Sequence, residues 1–305
     1  MAIFSNPLLL ESLMRKEPEP ESWERVPLES GGFAGGGNFD QPASIPLARA
    51  GGSLSGAPVI PVIYGGPNAE TADHNERQRA LKLRAQGQSW NEIWKSTGWG
   101  PTVEGKWAFD ISDHDATLND RGETVGEILN HPRLFEAYPS LRNIRFKLQE
   151  LGPDLLGRYE MPKPGQPATI VINAALNNRE RLKTLLHELQ HPVQFLEGFS
   201  PGGSPRGMAD IIKKRGGIGP EKTTDPNRAY QLLAGEDQAE SVVRRREMTP
   251  EQRREIPPWH PRSENVPRDR QIILRWRGNK PWPLNRIDDD TDIPIPSAQP
   301  PIFFD

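Results

Sequence analysis

A chain of 305 residues with 34% hydrophobic residues, 32 Pro and 28 Gly supports one core of ordinary domain size and leaves much of its length to loops and extended arms. It has no cysteine, which excludes disulfides and thiolate metal sites and leaves His and carboxylate as metal ligands. The net charge of −3 gives no global attraction to nucleic acid, and no apolar run reaches the ~18 residues of a membrane span.

Residues 1–71 read as an N-terminal arm. Residues 4–15 suit a short helix, but Glu17-Pro18-Glu19-Pro20-Glu21 breaks it, and Gly31-Gly32 and Gly35-Gly36-Gly37 follow. Such a stretch buries too little to fold alone, so it is either a docking arm or a disordered leader. Residues 1–14 lack a basic start and a small-residue cleavage site, so no signal peptide is expected.

The folded domain is expected over 72–275. Residues 75–96 read as one helix, with Leu81, Trp90, Ile93 and Trp94 on its apolar side and Gly87 weakening its middle. Residues 105–111 alternate as a strand that turns Trp107, Phe109 and Ile111 to one face, and the tryptophans are read as core. His114, between two aspartates, is expected on a surface loop. Residues 124–130 form a short helix punctuated by His131-Pro132, and residues 144–148 a second strand. Residues 157–160 and 168–173 form a hairpin around Pro164-Gly165.

That hairpin leads into Leu185-Leu186-His187-Glu188-Leu189-Gln190-His191. Two histidines four apart on a helix aim at one metal ion, and the adjacent glutamate is placed to deprotonate a water that the ion activates. Zinc suits imidazole nitrogens in a tetrahedral site with an open fourth position. Leu182, Leu185, Leu186, Leu189, Val193 and Leu196 fall on one stripe of the helix, with His187 and His191 roughly opposite, so the pair is expected to face a cleft or solvent. Asn177 or Asn178 caps the start and Gly198 the end, and Pro192 is expected to bend the helix. A strand just before such a helix offers an edge on which a peptide can pair.

Residues 198–225 are glycine-rich, either a lid beside the cleft or a plain connector. Asp225-Pro226 opens a helix expected to run to about residue 246, and Thr249-Pro250-Glu251-Gln252 starts another with capping-box character. Residues 244–286 are Arg-rich, which is normally a solvated face; nucleic-acid binding is the weaker reading. Residues 276–305 form a Pro-rich tail.

Catalytic zinc needs a third protein ligand. Glu197 is rejected, because Gln194 stands where a turn glycine would be required and a continuing helix carries Glu197 away from His191. Glu236, on the downstream helix where small Ala234 and Gly235 permit close approach, is the expected ligand, with Glu240 as the alternative or as a partner to a ligand imidazole.

The motif, followed by Gln194, Glu197-Gly198-Phe199 and Gly202-Gly203, resembles the zincin-like metallopeptidase domain of phage and prophage large polyvalent proteins. Tyr230, Leu233-Ala234-Gly235-Glu236, Ala239 and residues 248–254 are similar to that family's downstream block. Ile93-Trp94, Thr97-Gly98-Trp99, Gly105-Lys106-Trp107 and Phe109-Asp110-Ile111 are similar to its upstream block. The resemblance spans about residues 75–275. Pro192, where alanine is common, and Gln238, where a second acidic residue is usual, depart from the pattern.

The resemblance implies an α+β, zincin-like domain: a small mixed or antiparallel sheet on the motif helix and a second ligand-bearing helix, with long Pro/Gly-rich arms. It implies His187, His191 and Glu236 as zinc ligands and Glu188 as general base of a gluzincin-type metallopeptidase with a protein or peptide substrate. It also implies a phage virion or bacterial host cytoplasm as the location. The alternative is a non-catalytic virion or ejection protein whose arms hold other phage structural proteins.

Overall fold

A computed structural model describes residues 2–3, 62–113, 116–119, 121–163, 166–245, 248–261, 263–277 and 280–283. His114, the Pro164-Gly165 turn, the helix read at 4–15 and most of both arms lie outside the described residues.

Strands β1 (Ala2–Ile3) and β2 (Val62–Gly65) precede helices α1 (His74–Ala85) and α2 (Trp90–Thr97). Sequence periodicity predicts one helix here. The structure has two, because Gly87 takes a left-handed φ of +84° and Ser89 restarts the chain through a reciprocal capping box with Glu92. Strands β3 (Trp99–Pro101) and β4 (Trp107–Ser112) join β2 in an antiparallel sheet ordered β2-β4-β3. Trp94 and Trp99 are buried, and Trp90 meets Trp107 edge-on at 5.3 Å, so these indoles act as core.

β5 (Thr117–Leu118), α3 (Val125–Ile128), β6 (Leu129–Asn130) and α4 (Pro132–Ala137) follow. The helix expected at 124–130 is thus a single turn that passes into a strand. His131 caps α4 by accepting from the Leu134 amide at 3.2 Å while its other nitrogen pairs with buried Asp113.

β7 (Arg145–Gln149), β8 (Gly157–Glu160) and β9 (Thr169–Asn173) form the second sheet with β1, in the order β1-β8-β9-β7. β7 runs parallel to β9, and the other pairings are antiparallel. All five β9 positions are buried, which matches its nearly unbroken apolar run.

α5 (Asn178–Glu197) leaves β9 directly and packs beneath it. α6 (Pro205–Arg215), α7 (Pro226–Gln231), α8 (Ala234–Arg244), α9 (Pro250–Glu255), β10 (Leu274–Arg277) and β11 (Lys280–Pro283) complete the described elements. The helix expected from 225 to 246 is split between α7 and α8. Leu232 caps α7 and Leu233 takes an extended conformation that pairs with Ile272, whose amide donates to the Leu232 carbonyl at 2.7 Å.

The molecule is therefore α+β. Its main core joins Leu185, Leu186, Leu189 and Val193 of α5 to Ile170 and Ile172 of β9, Ile63 of β2, and Tyr230, Leu233 and Val242. Each aliphatic side chain buried there contributes about 1.5–3 kcal/mol. That core clamps α5 on three sides and leaves one face for α8.

Candidate metal centre

α5 is fixed at both ends by its own sequence. The Asn177 side chain accepts from the Glu180 amide at 3.0 Å, Glu180 accepts from the Asn177 amide at 3.2 Å, and Gly198 closes the helix at φ +63°. The helix continues through Pro192 to Glu197. The proline removes one amide, the one that would have bonded to the Glu188 carbonyl.

The histidine pair does not face solvent. Every residue from Thr184 to Gln194 is buried, with His187 1% and His191 4% exposed. The sequence reading placed the imidazoles opposite the leucines, and α8 covers that opposite face. The rings lie 5.2 Å apart at 81°. Glu236 Oε2 is 3.6 Å from His187 Nε2, and Glu236 Oε1 is 3.9 Å from His191 Nε2. All three ligand atoms lie within 4.8 Å of one another, so the group can hold a metal ion. Ligand atoms ~2.1 Å from a tetrahedral zinc stand about 3.4 Å apart, so small side-chain shifts close the shell.

The neighbours of these groups orient them. Gln194 donates its amide nitrogen to the Gly235 carbonyl (2.7 Å) and to Gln238 Oε1 (3.0 Å), so its oxygen is left as an acceptor. That oxygen receives His191 Nδ1–H at 3.1 Å and the Gly202 amide at 3.2 Å, which leaves His191 Nε2 with its lone pair toward Glu236. The Ala239 backbone of α8 faces the His187 ring. Glu236 accepts from the Gly203 amide at 2.8 Å and the Tyr230 hydroxyl at 3.0 Å. A side chain at Gly202 would collide with Glu236 and His191, and one at Gly235 with the Pro201 backbone. These glycines let residues 201–203 close over the site, so this part of the glycine-rich stretch is a roof.

Burial sets the protonation states. It holds His187 down to about 3 and His191 down to about 4, so both imidazoles are neutral at pH 7, as metal ligation requires. Burial, reinforced by the neighbouring Glu236 charge, pushes Glu188 well above the usual carboxylate range. Glu236 is raised by burial and pulled back by His191. The Glu188 oxygens close no hydrogen bond of normal geometry among the described residues, although the Tyr159 backbone amide faces them. Burial therefore favours the protonated form of this carboxyl, next in sequence to His187.

Glu240 lies one turn beyond Glu236 on α8 and outside the ligand group. It accepts from Arg244 Nη1 at 3.2 Å, and burial raises it to about 7. Between the two carboxylates read from sequence, Glu236 is the one brought to the histidines. Glu197 ties α5 to the loop after β2, accepting from the Asn68 amide at 3.0 Å and the Tyr138 hydroxyl at 2.6 Å. Tyr230, Gln194 and Gly202-Gly203 appear in the sequence resemblance without a role. The one sequence signal for them is the paired glycine after the motif.

Residues 62–119 match the family model for Large polyvalent protein associated domain 23. No curated protein and no solved structure matches the chain. The polyvalent-protein-associated segment runs from β2 to β5 and carries none of the ligand group. It holds α5 from behind: the Gln190 side chain accepts from the Tyr64 amide at 2.9 Å and donates to the Tyr64 carbonyl at 3.1 Å. Within the Arg-rich stretch Arg245 and Arg253 are buried, Arg254 and Arg270 are exposed, and several arginines pair with carboxylates. Arg245 pairs with Asp110 of that segment at 2.8 Å, Arg268 with Glu264 at 2.6 Å and Arg270 with Glu221 at 2.7 Å. Among the described residues no helix is long and apolar enough to cross a membrane.

Proposed function

We propose that the protein is a phage-encoded, zinc-dependent metallopeptidase of gluzincin type built on a zincin-like domain. The observation that carries this reading is the convergence of buried His187, His191 and Glu236, with Glu188 as the general-base candidate next to His187 in the chain. Two neutral imidazoles and a carboxylate are a zinc-type donor set, and the match over 62–119 supports the polyvalent-protein context.

In this reading His187, His191 and Glu236 hold zinc, which supplies Lewis acidity toward a peptide carbonyl and an attacking water. Glu188 takes the proton from that water and returns it to the leaving amine. Gln194 and Tyr230 keep His191 and Glu236 in register, and the roof at 201–203 excludes bulk water.

The test is cleavage of a denatured protein by the zinc-loaded chain, read by mass spectrometry. Cleavage that a chelator abolishes, zinc restores and Glu188→Gln eliminates supports the reading. Absence of cleavage at one zinc per chain across a diverse peptide library overturns it. The closed site favours a second reading, a virion or ejection scaffold that retains the metal as a structural clamp. Glu188→Gln phage of undiminished infectivity, together with zinc-dependent stability, would favour that scaffold.

A further inference from the structure

His187, His191 and Glu236 are each at most 4% exposed, so an ion reaches them only when one wall of the site gives way. α5 and α8 are committed to the main core, through Leu185, Leu189 and Val193 on the first helix and Val242 on the second. The roof is built differently. Residues 199–204 are all buried yet form neither helix nor strand, and they run from Gly198, at φ +63°, to the Ser204 cap of α6. A stretch without a helix or sheet ladder of its own is the wall that opens most readily.

The hydrogen bonds that hold residues 200–203 fall into two pairs. The inner pair ends in the ligand frame: the Gly202 amide donates to Gln194 Oε1 at 3.2 Å and the Gly203 amide to Glu236 Oε1 at 2.8 Å. The outer pair touches no ligand. The Ser200 amide donates to Glu104 Oε1 at 2.8 Å, and Ser200 Oγ accepts from the Leu274 amide of β10 at 3.0 Å. Glu104 lies in the turn between β3 and β4, inside the segment that matches the polyvalent-protein-associated family. Burial pushes its carboxyl up, and the Ser200 amide is among the groups that draw it back.

We propose that the outer pair is a latch: Glu104, a positioning residue supplied by the 62–119 segment, acts with Ser200 to hold residues 200–203 over the metal-binding group and sets the rate at which an ion enters and leaves. The matched segment thereby has a part in the centre although it supplies none of the three ligands. A cavity of about 50 Å³, whose lining includes Glu104, Ser200, Asp237 and Gln238, adjoins the latch. It has room for about three waters, which can take over the Ser200 amide and the Glu104 oxygen as they part. The latch stands on the hydrogen bonds alone. Its control of ion entry rests on the metal-centre reading.

Hydrogen exchange, read amide by amide on the full-length metal-free chain, tests the latch. Glu104→Ala removes the acceptor of the Ser200 amide, and Ser200→Ala removes the acceptor of the Leu274 amide. In both variants Gly202 and Gly203 keep their own acceptors, Gln194 and Glu236. If residues 200–203 lift as a unit, each variant should speed exchange at Gly202 and Gly203 about tenfold or more while the α5 amides stay unchanged. Glu104→Gln, which keeps an acceptor oxygen, should fall between wild type and Glu104→Ala. Acceleration confined to the Ser200 or Leu274 amide overturns the latch. Acceleration that extends throughout α5 overturns it too, because it marks general loosening.

Zinc ion alone then probes entry. Because opening precedes both steps, Glu104→Ala should take up zinc and yield it to a chelator each about tenfold faster, with the dissociation constant changed less than about threefold. Unchanged rates overturn the control of entry. So does faster release with uptake unaltered, which makes Glu104 a support of the ligand frame. A wild-type chain that binds no zinc overturns the metal-centre reading, while exchange at Gly202 and Gly203 still decides the latch.

Discussion

The segment 62–119 and the α5–α8 pair both bury charge, and they balance it differently. Around the segment, the Arg245 guanidinium pairs with Asp110 and lies over the Tyr64 and Trp94 rings at 5.9 and 5.8 Å. There the protein itself supplies a carboxylate for the buried guanidinium. Between α5 and α8, Glu188 and Glu236 are buried beside imidazoles that burial keeps neutral. Glu236 is held by an amide and a hydroxyl rather than by a guanidinium. The scaffold's buried guanidinium has its carboxylate, whereas the carboxyl of Glu236 beside two neutral histidines forms a group that could hold a cation.

The comparison can be broken from either side. The largest expected effect is at the centre: Glu188→Gln should lower peptide cleavage about 10²–10⁴-fold while zinc stays bound, measured by turnover and metal content together. An equal loss of zinc would make Glu188 part of the ligand frame. On the scaffold side, Asp110→Ala leaves Arg245 buried without its partner and should cost about 3–5 kcal/mol of unfolding free energy by denaturant titration. Gln190→Ala removes both bonds to Tyr64 and should cost about 1–3 kcal/mol, with little change in zinc affinity. A large loss of zinc there would show that the scaffold sets the ligand geometry as well as the fold.

The smallest effect concerns pH. Burial pushes Glu264 up to about 7 from an ordinary 4.5, with Arg268 opposing the shift. The folded state therefore keeps a proton that the unfolded chain loses, and stability falls as pH rises from about 4.5 to 7. Glu264→Gln should flatten that slope by on the order of 1–2 kcal/mol, read as melting temperature against pH. An unchanged slope would mean that Arg268 compensates the carboxylate fully.

The motif helix, its capping residues and the hairpin before it were legible because each rests on short-range periodicity and local hydrogen bonding. The approach of Glu236 to the histidines was legible from Ala234-Gly235, which permit a close helix crossing. The breaks at Gly87 and at Leu232-Leu233 were not. The first depends on one residue adopting a left-handed conformation, and the second on a pairing with Ile272 forty residues away. Burial of the histidines was hidden for a related reason. A helical wheel shows which residues lie opposite the leucines, but not that a second helix and a glycine roof cover them. The single-turn α3 shows the same limit, since its continuation as β6 depends on pairing with β5.

Zinc per chain, measured on purified wild type, His191→Ala, Glu236→Ala and Glu240→Ala after supply of the metal, tests the central claim most directly. The proposed centre predicts about one zinc in wild type and in Glu240→Ala, and loss of most of it in the other two. A wild-type chain that stays metal-free, or a Glu240→Ala variant that loses as much as Glu236→Ala, would contradict the three-ligand centre.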